Sequence, residues 1–180
     1  VGQNRDNQGL SEYNIAASSS AIYQNDPVQF LATGYIGVAS TTTAVLLGSL
    51  NGVFYTDATD QKPRWANHLA ASNTATDIVG FVSDDPYERF EVQSSTTLAI
   101  ADIGLNADIV YAAGTSPNFV SKVEVDTTSA NMTTATAQFR VLGVTKDINN
   151  NELSNVTTYA ANVNVVGIIN EHFLKSTTGI

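Results

Sequence analysis

Residues 81–93, FVSDDPYERFEVQ, contain an apolar strand, a turn and a second strand in immediate succession. The apolar run stops at Asp84-Asp85-Pro86, where Asp side chains can bond their own backbone and Pro fixes φ. Beyond the turn, residues 89–93 alternate between polar and apolar side chains, which is the pattern of a strand with one buried face. This stretch therefore predicts antiparallel β structure.

Similar runs separated by turn residues extend in both directions from this stretch. Toward the N-terminus, the pattern predicts a hairpin of 28–31 with 35–38, a second hairpin of 45–48 with 52–55 turning at Asn51-Gly52, and a strand at 64–69. Toward the C-terminus, it predicts strands at 109–112, 120–125, 139–144 and 159–169, with a short helix or turn at 98–105. Strands at intervals of about 8–12 residues with turn signals between them predict an all-β fold, an antiparallel β-barrel or sandwich.

The first 24 residues differ from the rest of the chain. Residues 1–12 are rich in Gln, Asn, Asp and Gly with a single Leu, and then four larger side chains interrupt a run of small residues: Tyr13, Ile15, Ile22 and Tyr23. One interpretation is a frayed terminus. The other is an extended N-terminal arm, residues 1–24, that orders only against a neighbouring subunit, anchors through those four side chains and can be removed without unfolding the barrel. Residues 25–180 form the predicted β-rich domain, with a smaller lobe within 110–160 left open.

The composition disfavours several classes of protein. Only 14% of residues are charged, against a typical value of about 25%, and 17 acids against 8 bases give a net charge of −9. Nucleic-acid binding needs clustered Lys and Arg, so we expect none. The absence of Cys excludes disulfides and thiolate metal sites. The sequence contains no apolar run of the roughly 18 residues that span a bilayer and no signal-peptide pattern in residues 1–10, so we expect a soluble protein without a membrane partner.

Motifs for chemistry are few. The two histidines, His68 and His172, are far apart without a third ligand at metal spacing, and we expect surface or core roles for both. His172 lies at a strand end, where the side chain is expected to act as a hydrogen-bonding cap. Neither a Gly-x-Ser-x-Gly elbow nor a Gly-rich phosphate loop occurs. We therefore predict no enzymatic activity and no cofactor.

The best candidate for a metal site is the carboxylate cluster Asp84, Asp85 and Glu88, because calcium takes several oxygen ligands at a turn. This segment lacks the alternating Asp-x-Asp-x-Asp-Gly spacing that organises such a loop. Asp-Asp-Pro is also typical of a strand that ends in a turn. We favour the turn, and we predict no metal.

Residues 25–174 contain a series of segments in a particular order. They are Asn25-Asp26-Pro27-Val28, Ala32-Thr33-Gly34-Tyr35-Ile36, Leu47-Gly48, Gly52-Val53-Phe54-Tyr55, Trp65, Val82-Ser83-Asp84-Asp85-Pro86, Phe90-Glu91-Val92-Gln93, Phe139-Arg140-Val141-Leu142-Gly143 and Ile169-Asn170-Glu171-His172. In these segments the chain resembles tailed-bacteriophage head decoration (cement) proteins. The resemblance implies a β-rich virion protein on the outer surface of an icosahedral capsid. It further implies the major capsid protein as partner and a homo-trimer or homo-dimer that bridges capsomers.

The expected function is therefore structural: the chain clamps neighbouring capsid subunits, and the four anchors of the arm make the contacts. An alternative is a receptor- or glycan-binding fibre or spike module of the virion, with Trp65, Tyr55 and Tyr87 as an aromatic platform. A hydrolase that uses one of the many Ser and Thr residues is a third alternative, which no motif supports.

Overall fold

The computed structural model describes residues 9–145 and 157–176, which form two six-stranded β-sheets and a two-stranded one. The first sheet contains β1 (Ser11–Asn14), β2 (Pro27–Phe30), β3 (Ile36–Val38), β4 (Gly48–Thr56), β5 (Pro63–Ala66) and β6 (Val79–Ser83). The later strands are β7 (Phe90–Ser94), β8 (Leu98–Ala99), β9 (Asn106–Ala107), β10 (Ile109–Val110), β11 (Glu124–Val125), β12 (Phe139–Val144), β13 (Thr158–Tyr159) and β14 (Asn164–Ile169). Short 3-10 helices cover Ile100–Asp102 and Phe173–Lys175. The predicted all-β class is confirmed.

The first sheet is a nearly closed barrel. Its strand order is β1-β6-β4-β2-β3, with β5 paired to β4 outside this path. Ile15, directly after β1, bridges Ile36 at the start of β3, so the two ends of the sheet meet. Alternate residues of β4 and β6, such as Leu50 and Val82, point inward and are fully buried. They form the first hydrophobic core, to which Ile22 also belongs.

The second sheet also closes on itself. Its order is β10-β11-β7-β14-β12-β9, and the two terminal members are halves of one segment, separated only by Asp108. The pairing of β7 with β11 is parallel, and the other pairings of this sheet are antiparallel. Phe139, Val141 and Val165 point inward and build the second core. The strands found between residues 110 and 145 belong to this barrel, together with β7 and β14.

The boundary between the two barrels, which we call the seam, is held by hydrogen bonds. The side chain of Gln138, fully buried before β12, donates from Nε2 to the carbonyl oxygens of Thr41 at 2.9 Å and Ala44 at 2.8 Å. Its Oε1 accepts from the backbone N–H of Ile109 at 3.2 Å. One amide thus bonds Ile109 of the second barrel and two carbonyls of the connection between β3 and β4 of the first sheet, which is how a buried polar side chain avoids its desolvation cost.

Backbone bonds continue the seam. Leu46 donates its N–H to the carbonyl of Glu171 at 3.0 Å and accepts from the N–H of Phe173 at 2.8 Å. Leu46 packs in the second core, whereas the next residue, Leu47, packs in the first. The chain therefore crosses from one barrel to the other at these two residues.

The predicted hairpins have different outcomes. The pair β2 and β3 confirms the first, with Phe30 opposite Ile36. The second, at Asn51-Gly52, is wrong, because β4 runs straight through both residues. The register against β6 shifts between Leu50 and Gly52, so the pair sits in a β-bulge, where an extra residue is accommodated without reversing the chain.

The N-terminal segment is part of the first barrel from residue 11 onward. Strand β1 pairs antiparallel with β6, Tyr13 opposite Gly80. Ile15 is 2% exposed and Ile22 fully buried, both in the first core. Their expected role as contacts to a neighbour is corrected, because apolar side chains that fill the barrel are not accessible to a partner. Residues 1–8 of the predicted arm lie outside the described residues.

Candidate functional site

A cavity of about 620 Å³ opens at the seam. Its floor includes the apolar side chains of Leu46, Phe90 and Phe139, and its wall contains Arg89 and Lys122 alongside two glutamates. Neither histidine lines it. The mixed charges give this cavity no net preference for a cation or an anion.

Asp26, which no motif for chemistry marks in the sequence, is fully buried at this seam. Its Oδ2 accepts from the backbone N–H of Tyr23 at 2.8 Å and from the hydroxyl of Tyr111 at 3.3 Å. Burial raises the pKa of the Asp26 carboxyl, and hydrogen bonds oppose that rise. Burial of Tyr111, and then the nearby Asp26 carboxyl, raises the pKa of the Tyr111 hydroxyl above its ordinary value. The pair is a link between the barrels.

His172 has the capping role that was expected of it. It is the residue before the 3-10 helix Phe173–Lys175, and its Nδ1 accepts from the backbone N–H of Leu174 at 3.1 Å. The ring is 2% exposed, and burial lowers its pKa below the ordinary value. A neutral ring with the proton on Nε2 fits this bond, so the residue serves structure.

His68 is held in an aromatic stack. Its ring lies 4.0 Å from that of Phe119 with an angle of 10° between the planes, and 6.2 Å from that of Tyr23. Nδ1 lies 3.0 Å from Oδ1 of Asn67. Burial lowers the pKa of this imidazole. Tyr23, a predicted anchor, thus packs on two loops of its own chain.

The carboxylates of the turn after β6 face different donors. Asp84 accepts from the hydroxyls of Ser11 at 2.9 Å and Tyr13 at 2.5 Å. Asp85 accepts from the backbone N–H of Tyr87 at 2.8 Å, and Glu88 accepts from the Ser83 hydroxyl. Within residues 9–145 and 157–176, no group of three metal-ligating side chains converges. Burial, followed by the Asp84 contact, raises the pKa of the Tyr13 phenol.

This well-braced turn displays an exposed aromatic ring. Tyr87 is 75% exposed, and the ammonium of Lys175 lies 4.8 Å from its ring centroid. Leu174, next to Lys175, is 52% exposed. We call these three side chains the Tyr87 patch. Sequence alone marks the turn but gives no signal that the C-terminal 3-10 helix packs beside it.

A second exposed aromatic group lies on the outside of the first barrel. Trp65 is 71% exposed, with its ring centroid 4.9 Å from that of Phe81 and 5.1 Å from that of Phe54. We call these three rings the Trp65 face. The predicted platform of Trp65 with Tyr55 and Tyr87 is corrected, because Tyr55 packs against the first core and Tyr87 contacts Lys175. The alternation of β4 and β6 is the signal that places both Phe residues outward.

Among the residues described, no helix has the length and apolar character needed to cross a bilayer. No protein-family model, no curated protein and no solved structure matches this chain.

Proposed function

We propose that this protein is a structural virion component that binds the outer surface of an icosahedral phage capsid and stabilises the shell by bridging neighbouring major capsid protein subunits. One observation carries the proposal. Three of the segments in which the chain resembles decoration proteins meet at the seam, since Asp26, Leu47 and His172 lie there. Residues 26, 47 and 172, which are distant in sequence, thus lie at the same boundary.

The seam suits a clamp. The Gln138 amide, the bonds of Leu46 and the Asp26–Tyr111 pair tie the barrels together at separate points. A protein that bridges two capsid subunits must transmit force between its contacts, and buried hydrogen-bond networks between packed elements resist deformation. Binding only to the assembled shell then stabilises that shell by mass action.

The Tyr87 patch is the capsid contact in this proposal, in place of the buried anchors Ile15 and Ile22. Tyr is enriched among residues that dominate binding energies, and this one is held by a turn whose backbone bonds to Asp85. A rigid anchor loses little conformational entropy on binding. The patch is small, so we propose a homo-trimer or homo-dimer whose linked copies gain effective concentration. Nucleic acid and catalysis have no part in the mechanism.

The test uses phage heads stripped of this protein and then supplied with purified variants. We expect the wild-type chain to raise the temperature at which the heads release DNA. Tyr87→Ala combined with Leu174→Ala should abolish attachment, whereas Ile100→Ala, which changes a side chain that is 51% exposed elsewhere, should attach normally. Equal DNA release with and without the wild-type protein would contradict the function, and normal attachment of the double variant would contradict the contact.

A further inference from the structure

The Trp65 face has an ordered layout on the outside of the first barrel. Across β1, β6, β4 and β5, the register places Asn14 opposite Val79, Val79 opposite Phe54, and Phe54 opposite Trp65. Paired residues of neighbouring strands project from the same side of a sheet, so these four side chains form a row. Phe81 lies in the adjoining row, opposite Glu12.

The indole ring in this row is fixed but open. It stacks on Phe81 with 26° between the planes and touches Phe54 at 54°, yet Trp65 remains 71% exposed. A flat aromatic surface held in place by two other rings and left in water is a typical mark of an interaction site. Neither core needs it, since both consist of other residues.

The size of this surface selects its occupant. An aromatic side chain covers about 150–250 Å² when fully buried, and two of the three rings here are already half-buried. A stable protein interface needs about 800 Å² from each partner. Three partly covered rings fall well short of that area, whereas one or two sugar rings match it.

Two polar residues lie at the β1 end of the Trp65 face. Glu12 is opposite Phe81, and Asn14 ends the row of Trp65; both are exposed. Small-ligand sites combine an apolar surface with a few polar groups that fix orientation. A carboxylate at the rim can accept hydrogen bonds from the hydroxyls of a pyranose ring, and an amide can both accept from them and donate to them. The aromatic rings then contact the C–H face of the sugar.

We propose that the Trp65 face binds a neutral, β-linked oligosaccharide of gluco-configured units. In such units the ring hydroxyls are equatorial, so both faces of each sugar present C–H groups to an aromatic surface. The β-linkage keeps successive rings in one flat ribbon that can lie on the row of side chains, whereas an α-1,4 linkage coils the chain. The carboxylate of Glu12 and the net charge of −9 disfavour anionic glycans. This site is separate from the Tyr87 patch and gives the protein a second activity, attachment to polysaccharide surfaces.

Trp65 is the single Trp of the chain, so its fluorescence reports on this site alone. The full chain is titrated with triacetylchitotriose and with cellohexaose, and the α-linked maltohexaose serves as the control. We expect a saturable change in emission with at least one β-linked probe and none with maltohexaose. Absence of any change at millimolar concentrations of both β-linked probes would overturn the proposal.

Variants complete the test, with binding followed by calorimetry because Trp65→Ala removes the fluorophore. We expect at least a tenfold loss of affinity in Trp65→Ala and a smaller loss in Trp65→Phe, which retains an aromatic ring if the first variant fails to fold. Unchanged affinity would refute the site. If Trp65→Ala instead abolishes self-association in sedimentation or attachment to heads, the occupant is a second copy or the capsid, and the proposal falls.

Discussion

The side-chain amide of Gln138 reaches the connection between β3 and β4, where its Nε2 donates to the carbonyl oxygen of Ala44 at 2.8 Å. Neither residue belongs to a segment with an obvious sequence pattern. The amide also bonds Thr41 and Ile109, so a single side chain makes three hydrogen bonds at the seam.

Replacing Gln138 with Ala removes this amide from the buried residues Ala44 and Ile109, whereas the carbonyl of exposed Thr41 still accepts from the N–H of Ala44. Each unsatisfied buried group costs about 1–3 kcal/mol, so we expect a loss of about 2 kcal/mol or more in the free energy of unfolding. Urea titration followed by circular dichroism measures it. Gln93→Ala, which removes an exposed amide bonded to Asn162 at 3.3 Å, is the matched control and should cost little. Equal midpoints for the two variants would contradict the role of the seam.

The N-terminal segment contributes to stability through Ile15. Its truncation in Ile15→Ala should cost about 2–5 kcal/mol, the usual range for an apolar side chain removed from a packed core. Leu142→Ala, at a position 40% exposed, should change thermal stability far less. Comparable melting temperatures for the two variants would place Ile15 outside the core.

Deletion of residues 1–23 should unfold the first barrel, contrary to the expectation of a removable arm. The deletion removes β1, together with Ile15 and Ile22 from the core. Deletion of residues 1–8 alone leaves every described strand intact and serves as the control. Cooperative unfolding of the longer deletion, measured by calorimetry with wild-type enthalpy, would show that the segment is dispensable.

His172 makes stability depend on pH in one direction. Burial lowers its pKa in the folded state below the ordinary 6.5, so the unfolded chain takes up a proton first as the pH falls. The contribution is complete above about pH 6.5 and declines below it, by at most about 1.4 kcal/mol per pH unit. His172→Asn keeps an oxygen that can cap Leu174 but cannot titrate, so its unfolding free energy should fall less between pH 7.5 and 5. Identical slopes would remove His172 from the explanation.

Two glycines of the β12–β14 pair offer a contrast. A Cβ at Gly167 would overlap the carbonyl oxygen of Arg140 and the ring of Phe139, whereas a Cβ at Gly143 would meet nothing within 4 Å. We expect Gly167→Ala to cost about 3 kcal/mol, because overpacking forces the backbone to shift, and Gly143→Ala to change stability by about 0.5 kcal/mol or less. Thermal unfolding compares them, and equal melting temperatures would refute the close approach.

Local patterns predicted part of this fold. Strand β12 occupies the predicted residues 139–144, since its alternation of large apolar side chains is strong. The hairpin of β2 and β3 follows from a turn signal between two short apolar runs. The hairpin predicted at Asn51-Gly52 is wrong because the two residues that favour a tight turn also suit a bulge inside a long strand.

The remainder depends on long-range pairing that a single sequence does not encode locally. Ser11 pairs with Val82, and Val125 pairs in parallel with Ser94. Closure of two separate barrels follows from such pairings, so the sequence predicted a barrel or sandwich without distinguishing one core from two. The burial of Ile15 and Ile22 was missed because small residues between them concealed any strand period. Because Ile15 and Ile22 are buried, the exposed aromatic side chains are the remaining candidates for contact with a partner.

The second barrel has a consequence for behaviour in crowded conditions. Because β9 and β10 are consecutive pieces of one segment, the described strands of this sheet form a ring of pairings without a terminal strand. Edge-to-edge polymerisation is therefore disfavoured at the second barrel. A foreign strand would instead have to extend β5 of the first sheet, which among the described strands pairs with β4 alone.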